Sequence, residues 1–137
     1  MSTAVPMSPV ADAILVKLTT DLPTSYKHFD GEGPTTPLDD VPYTVLYADG
    51  GLGDGAPMVL NRELTGTFSV RCVGSTAGQS RKAGDRVRAS LDGAAFTAGG
   101  RNVNTWQTLA RPVQRDDSLA PDVLFEHLLV FGFRSTT

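Results

Sequence analysis

Residues 66–91 read GTFSVRCVGSTAGQSRKAGDRVRASL, a strand that must turn at once into an amphipathic helix. Over residues 67–73 the side chains alternate, Phe68, Val70 and Cys72 on one face and Thr67, Ser69 and Arg71 on the other. That period of two belongs to a half-buried strand. Gly74 offers backbone freedom for the turn, and Ser75 or Thr76 can cap the helix, since a short hydroxyl satisfies an amide donor orphaned in the first turn. Ala83, Val87 and Leu91 then recur at i, i+4 and i+8, while Gln79, Arg81, Lys82, Asp85, Arg86 and Arg88 take the other side. Gly78 and Gly84 each cost about 1 kcal/mol against alanine in a free helix, so packing must hold this one. Small residues there also permit a close approach to a sheet. Asp92-Gly93 ends the helix.

The remaining elements follow from the same periodicities. Ser8-Pro9 is a good helix start, and Val10, Ala11, Ile14, Leu15 and Leu18 form its apolar stripe, which predicts a helix over about residues 9–22, stopped by Pro23. Residues 24–29 can run extended before a Gly- and Pro-bearing loop over 30–41. Residues 42–48, PYTVLYA, are a strand by their aromatic and β-branched content. Residues 49–57 hold four glycines and predict a flexible loop, with 59–64 a short extended lead into the next strand. Residues 94–104, bearing Gly and Asn, read as another loop, and 105–114 as a strand interrupted at Pro112. Arg115-Asp116-Asp117 reads as a polar turn. The last strand, over residues 123–133, is apolar on both faces and predicts cover on both, one cover being a neighbouring subunit. With residues 1–7 a flexible terminus, the whole is one domain over residues 1–137. Its expected class is α/β of the α+β kind, an antiparallel or mixed sheet of about four to five strands with two helices packed on one face.

Composition narrows the functional classes. Hydrophobic residues make up 40% and charged residues 20% of 137, the ordinary globular range. A net charge of −3 gives no electrostatic reason for a nucleic-acid surface, so the basic patch Arg81, Lys82, Arg86 and Arg88 reads as a solvated or subunit-facing one. Cys72 is the single cysteine, on the apolar face of a strand, and is expected to be buried and inert in reducing surroundings. No stretch reads as a signal peptide or approaches the ~20 apolar residues of a membrane helix, so the chain is expected in the cytoplasm when made, with no membrane partner.

Candidate chemistry is sparse. His28 and His127 lack metal-box spacing, and Glu126 and His127, as strand neighbours, point to opposite faces and do not converge on a substrate. Residues 49–55 lack the Gly-Lys-Ser/Thr ending of a phosphate-cradling loop, and no serine sits in a Gly-x-Ser-x-Gly elbow. The expectation is no catalytic residue, no metal and no cofactor, hence no enzyme.

The ordered set of VPYTVLY, a Gly-rich loop, RCVG, SRKAGDRVRASLDG and the closing FEHLLVFGFRS resembles the small tail terminator proteins of long-tailed bacteriophages, especially those of actinobacteria. The resemblance is nearly full length, and residues 67–93 carry most of it. It implies a structural virion protein that forms a hexameric ring on the head-proximal end of the tail tube, stops tube growth and offers the head-joining surface. The implied partners are further copies of itself, the tail tube protein and a head-completion or neck protein, with passing contact to exiting DNA. The implied location is the virion tail, after assembly in the host cytoplasm. Loops 49–57 and 99–104 are candidates to face tube, lumen or neck, since mobile segments can order on a partner. Asp49, Leu52, Asp54, Arg101 and Asn102 are their interface candidates. Arg81, Arg86, Arg88, Arg115 and Asp116 are the candidates elsewhere. A head-completion or neck connector protein is the nearest alternative, and a small ligand-binding or hydrolytic α/β domain the one from another class.

Overall fold

The computed structural model describes residues 8–35, 40–48, 52–53, 63–118 and 123–136. Helix α1 is Ser8–Asp21, and Val10, Ile14 and Leu18 bury the stripe expected of it. Strand β1 (Lys27–Asp30) pairs in parallel with β2 (Tyr43–Ala48). β2 runs antiparallel to β4 (Glu63–Gly74), onto which the two-residue β3 (Leu52–Gly53) also pairs. Helix α2 (Ala77–Leu91) follows, then β5 (Ala94–Ala98), β6 (Arg101–Ala110), β7 (Gln114–Asp116) and β8 (Leu124–Thr136). One mixed sheet results, in the order β1-β2-β4-β8-β6-β5, with β3 beside β4 and β7 beside β8. The α+β class stands as expected, with, among the described residues, two helices on one face and eight strands instead of four or five.

The centre of the sheet is the β4–β8 ladder, which runs from Glu63 opposite Thr136 to Gly74 opposite Phe125. Its inward row sets Phe68 against Phe131 in a stack with centroids 5.3 Å apart, and Phe133 tilts onto Phe68 at 6.2 Å. The stripes of α1 and α2 complete the same core, Ile14 and Leu18 with Ala83, Val87 and Leu91. At one end of the opposite face a smaller cluster of Tyr43, Val45, Val73 and Leu124 is closed by Phe29 and Val41.

Helix α2 is pinned at both ends. Thr76 is its N-cap, accepting from Gln79 N–H at 3.1 Å, while Gln79 Oε1 accepts from Ser75 N–H at 2.6 Å, so the two ends of that turn satisfy each other. Ser80, fully buried, donates to the Cys72 carbonyl at 2.8 Å. At the other end Thr105 Oγ1 donates to the Leu91 carbonyl and Gln107 N–H donates to Asp92 Oδ1 at 2.9 Å. Ser90 Oγ donates to Asp21, which Lys17 also holds, joining the C-terminal ends of the two helices.

Four expectations change. Gly74 is required for space, not for an unusual backbone: its φ is not positive, and an added Cβ would lie 2.7 Å from Ser80 N. Residues 94–104 form the β5–β6 hairpin, because Gly99 (φ 57) and Gly100 (φ 77) are a two-residue turn of the hand that twisted strands demand. The break at Pro112 is real, but Gln114–Asp116 resumes as β7 against β8, and the polar turn moves to Asp117-Ser118, where Ser118 N–H donates to Asp116. Within 49–57, Leu52 and Gly53 join the sheet as β3, opposite Thr65 and Leu64. The rest of that segment, residues 59–62 and residues 1–7 lie outside the described residues.

Candidate assembly interface

The final strand is covered on one face, while on the other, among the described residues, Leu124 alone has a buried side chain, in the Tyr43 cluster. Leu129, Phe131 and Phe133 are fully buried beneath the helices. Leu128 and Val130, pointing the other way, are half-buried, so the chain itself leaves open the cover expected on that face. Both helices sit on one side because their stripes share one core, so among the described residues the cluster on the other side is the one around Tyr43. Across that bare face runs a register row: Tyr47 opposite Ser69, Ser69 opposite Val130, Val130 opposite Leu109. Tyr47 is 37% exposed, Leu109 53% and Trp106, beside the row, 43%. The Trp106 indole lies on Gly132, where a Cβ would come within 2.7 Å of the ring. Adjacent large exposed apolar groups rimmed by polar ones mark a surface that a partner covers.

Trp106 and Leu109 were missed in the sequence, for a physical reason. Three apart, they belong on opposite faces of a regular strand. A register shift between Gln107 and Leu109 turns Leu109 onto the face of Trp106. Such bulges re-aim side chains and leave no compositional mark.

The second surface is the outer side of α2. Arg81, Asp85 and Arg88 line a cavity of about 500 Å³ with His127 of β8 and with Pro112 and Val113 from the link to β7. Arg88 is held there, its Nε donating to Gln107 at 2.6 Å and its Nη1 3.2 Å from Asp85. His127 is only 8% exposed, and its Nδ1, packed against the Gly84 backbone, has no hydrogen-bond partner among the described residues.

The chain matches a solved structure titled as the virion of a native gene transfer agent particle with a TM-score of 0.70 and 15% sequence identity, over 97% of this chain and 98% of the other. At that identity what is shared is the fold. No protein-family model matches the chain. No curated protein matches it.

The remaining sequence candidates are dispersed. Arg86 sits on the other side of α2, its guanidinium 6.0 Å from the Tyr26 ring. Arg101 turns back onto β8, donating to Ser135 Oγ at 3.1 Å and to its carbonyl at 3.2 Å, while Asn102 faces solvent. Arg115 pairs with Asp117 at 2.6 Å, and hydrogen bonds from Ser118 hold the Asp116 carboxyl below its usual range. Asp49 and Asp54 lie outside the described residues, and for Leu52 the structure describes the β3 backbone. Only Arg81 and Arg88 are thus brought together. No group of three His, Cys, Asp or Glu residues capable of holding a metal occurs among the described residues, and none of their helices is long and apolar enough to cross a membrane.

The buried titratable groups make stability depend on pH. Burial pushes the Cys72 thiol up to about 12, which leaves it protonated and unreactive at neutral pH. Burial, and then Arg88, lowers the His127 pKa; burial lowers that of His28, whose Nδ1 lies 2.6 Å from Thr44 Oγ1. In the unfolded chain both rings take a proton near the ordinary value of about 6.5, before the folded chain does. The stabilising contribution is therefore complete above that value and is lost as pH falls from it toward the folded values. Urea midpoints are expected to fall between about pH 7.5 and about pH 5.5, with a shallower fall in His127→Gln. Equal slopes in the two proteins would contradict this.

Proposed function

We propose that this chain is a structural protein of a phage-type virion, a tail terminator that closes as a hexameric ring on the head-proximal end of the tail tube, stops tube growth and presents the head-joining surface. The observation that carries the reading is the bare sheet face with Tyr47, Val130, Leu109 and Trp106, a surface built for cover by another protein. The resemblance over residues 67–93 and the end-to-end fold likeness to a virion chain support it. Assembly uses no chemistry beyond burial and complementary contact, in keeping with side chains that pair for structure.

The test is electron microscopy of tails from a phage lacking the gene, with purified protein added back. Abnormally long or headless tails corrected by the wild-type protein are expected. Trp106→Ser/Leu109→Ser should keep its fold, since both residues are largely exposed, and should correct few tails or none. Normal tails beside leaking heads would instead assign the protein to head completion.

A further inference from the structure

The ion-pair pattern of the described residues leaves two sets of charges over, on different parts of the molecule. Among the acids, Asp21, Asp40, Asp85, Asp117 and Glu126 have cationic partners, and Asp92 and Asp116 accept backbone N–H groups. Asp12 on α1 has neither, and nor do the exposed Asp30 and Glu32. The latter two flank Gly31 in the turn that leaves the outer strand β1. Gly31 has φ +80 and nothing within 4 Å of an added Cβ, while its N–H donates to the Leu46 carbonyl at 2.8 Å, so the turn juts from the sheet edge on a fixed backbone. Residues 28–61 contain six acids and no lysine or arginine.

The cations left without an ion pair are Arg81, Lys82 and Arg86 on α2 and Arg111 in the β6–β7 link. Arg81 is exposed with no ion-pair partner, at the mouth of the cavity that holds the orphaned His127. Asp85, the one acid lining that cavity, is already engaged by Arg88. No ion pair joins the two sets within the chain. Tyr26 and Pro42, at the start of β1 and β2, border α2 on its Lys82 and Arg86 side, whereas the cavity opens between α2 and the link to β7.

We propose that the cavity between α2 and the β6–β7 link is a socket for the Asp30-Gly31-Glu32 turn of a second copy of this chain, with a carboxylate of the turn against Arg81. The contact is head-to-tail, joining an edge of one subunit to the helix face of the next, the kind of contact that closes into a ring when the rotation allows. The inference rests on the ring reading above and names the surfaces that would make it. Opposite charges there guide register and exclude the reversed contact, since like charges would face each other.

Reciprocal charge reversal tests it. Arg81→Glu, and separately Asp30→Lys/Glu32→Lys, change exposed residues, so both proteins should fold, as circular dichroism would verify. Each variant alone brings like charges together and is expected to self-associate roughly 100-fold more weakly than wild type and to cap no tails. Mixed one to one, every socket can find an oppositely charged turn, and assembly and capping should return. Native mass spectrometry and tail micrographs read both effects. Wild-type capping matched by either variant alone, or no recovery on mixing, would overturn the socket and leave the terminator reading standing. Wild-type protein that corrects no tail defect would overturn the terminator reading; the socket then stands or falls on self-association alone, and a wild type monomeric up to its solubility limit overturns it.

Discussion

Phe131→Ala is expected to lower the unfolding free energy by about 3–5 kcal/mol, the cost of removing a buried ring from a core that cannot collapse around the void. Phe131 is fully buried on β8, stacked on Phe68 with centroids 5.3 Å apart. Phe68 also meets Phe133, so one truncation loosens three rings on the two longest strands. Relaxation is limited because β4 and β8 are bonded along their whole length and both helix stripes rest on that row. Domains of this size are stable by about 5–15 kcal/mol, so the variant should lose a large share of its folded population at 37 °C. Urea unfolding monitored by circular dichroism gives the measurement. A loss below about 1 kcal/mol would mean that the site collapses freely and that the three rings do not form the centre of the core.

The two glycines of α2 should respond to the same substitution with opposite signs. Gly84→Ala gains about 1 kcal/mol of helix propensity, but the new Cβ would lie 2.5 Å from His127 Nδ1 and 3.0 Å from Cε1. His127 is clamped in β8 between its neighbours in the ladder, so either the helix lifts or the ring rotates, at about 1–3 kcal/mol. The net expectation is destabilisation of up to about 2 kcal/mol, with a larger loss for Gly84→Val. Gly78→Ala meets nothing closer than Thr76 Oγ1 at 4.0 Å and should stabilise by about 0.5–1 kcal/mol. Thermal melts of the two variants decide it. Stabilisation by Gly84→Ala would show that His127 yields freely and that close packing of the helix on β8 does not require glycine at this position.

That contrast illustrates how far the sequence could be read. The strand–cap–helix unit of residues 66–91 was legible because it is local: alternation, a Ser-Thr cap and an i, i+4 stripe are each written in consecutive residues, and Phe68, Val70, Cys72, Ala83, Val87 and Leu91 are all buried as their spacing requires. The break at Pro112 was legible because proline lacks an N–H. The β5–β6 hairpin was not, since Gly99-Gly100 looks alike in a loop and in a tight turn until the flanking strands are known to pair. Gly78 and Gly84 are equally alike in the sequence. Only the packing of α2 on β8 makes one of them a necessity.

The interface divides in the same way. Arg81 and Arg88 could be singled out because charge on a helical stripe is a local pattern. Arg101 and Arg115 could be named as charged, but not as already engaged by Ser135 and Asp117. His127 could be placed on a strand, but not beneath the Gly84 backbone with Nδ1 unpaired.

The sequence by itself determined the two helices, the inward faces of β4 and β8 and the class of fold, because periodicity and capping act over a few residues. Only the tertiary structure decided which side of the sheet stays bare, where the bulge in β6 sends Leu109, and which charges find partners inside the chain. These depend on strand order and register, which are set by the simultaneous fit of segments far apart in the chain and appear in no local pattern.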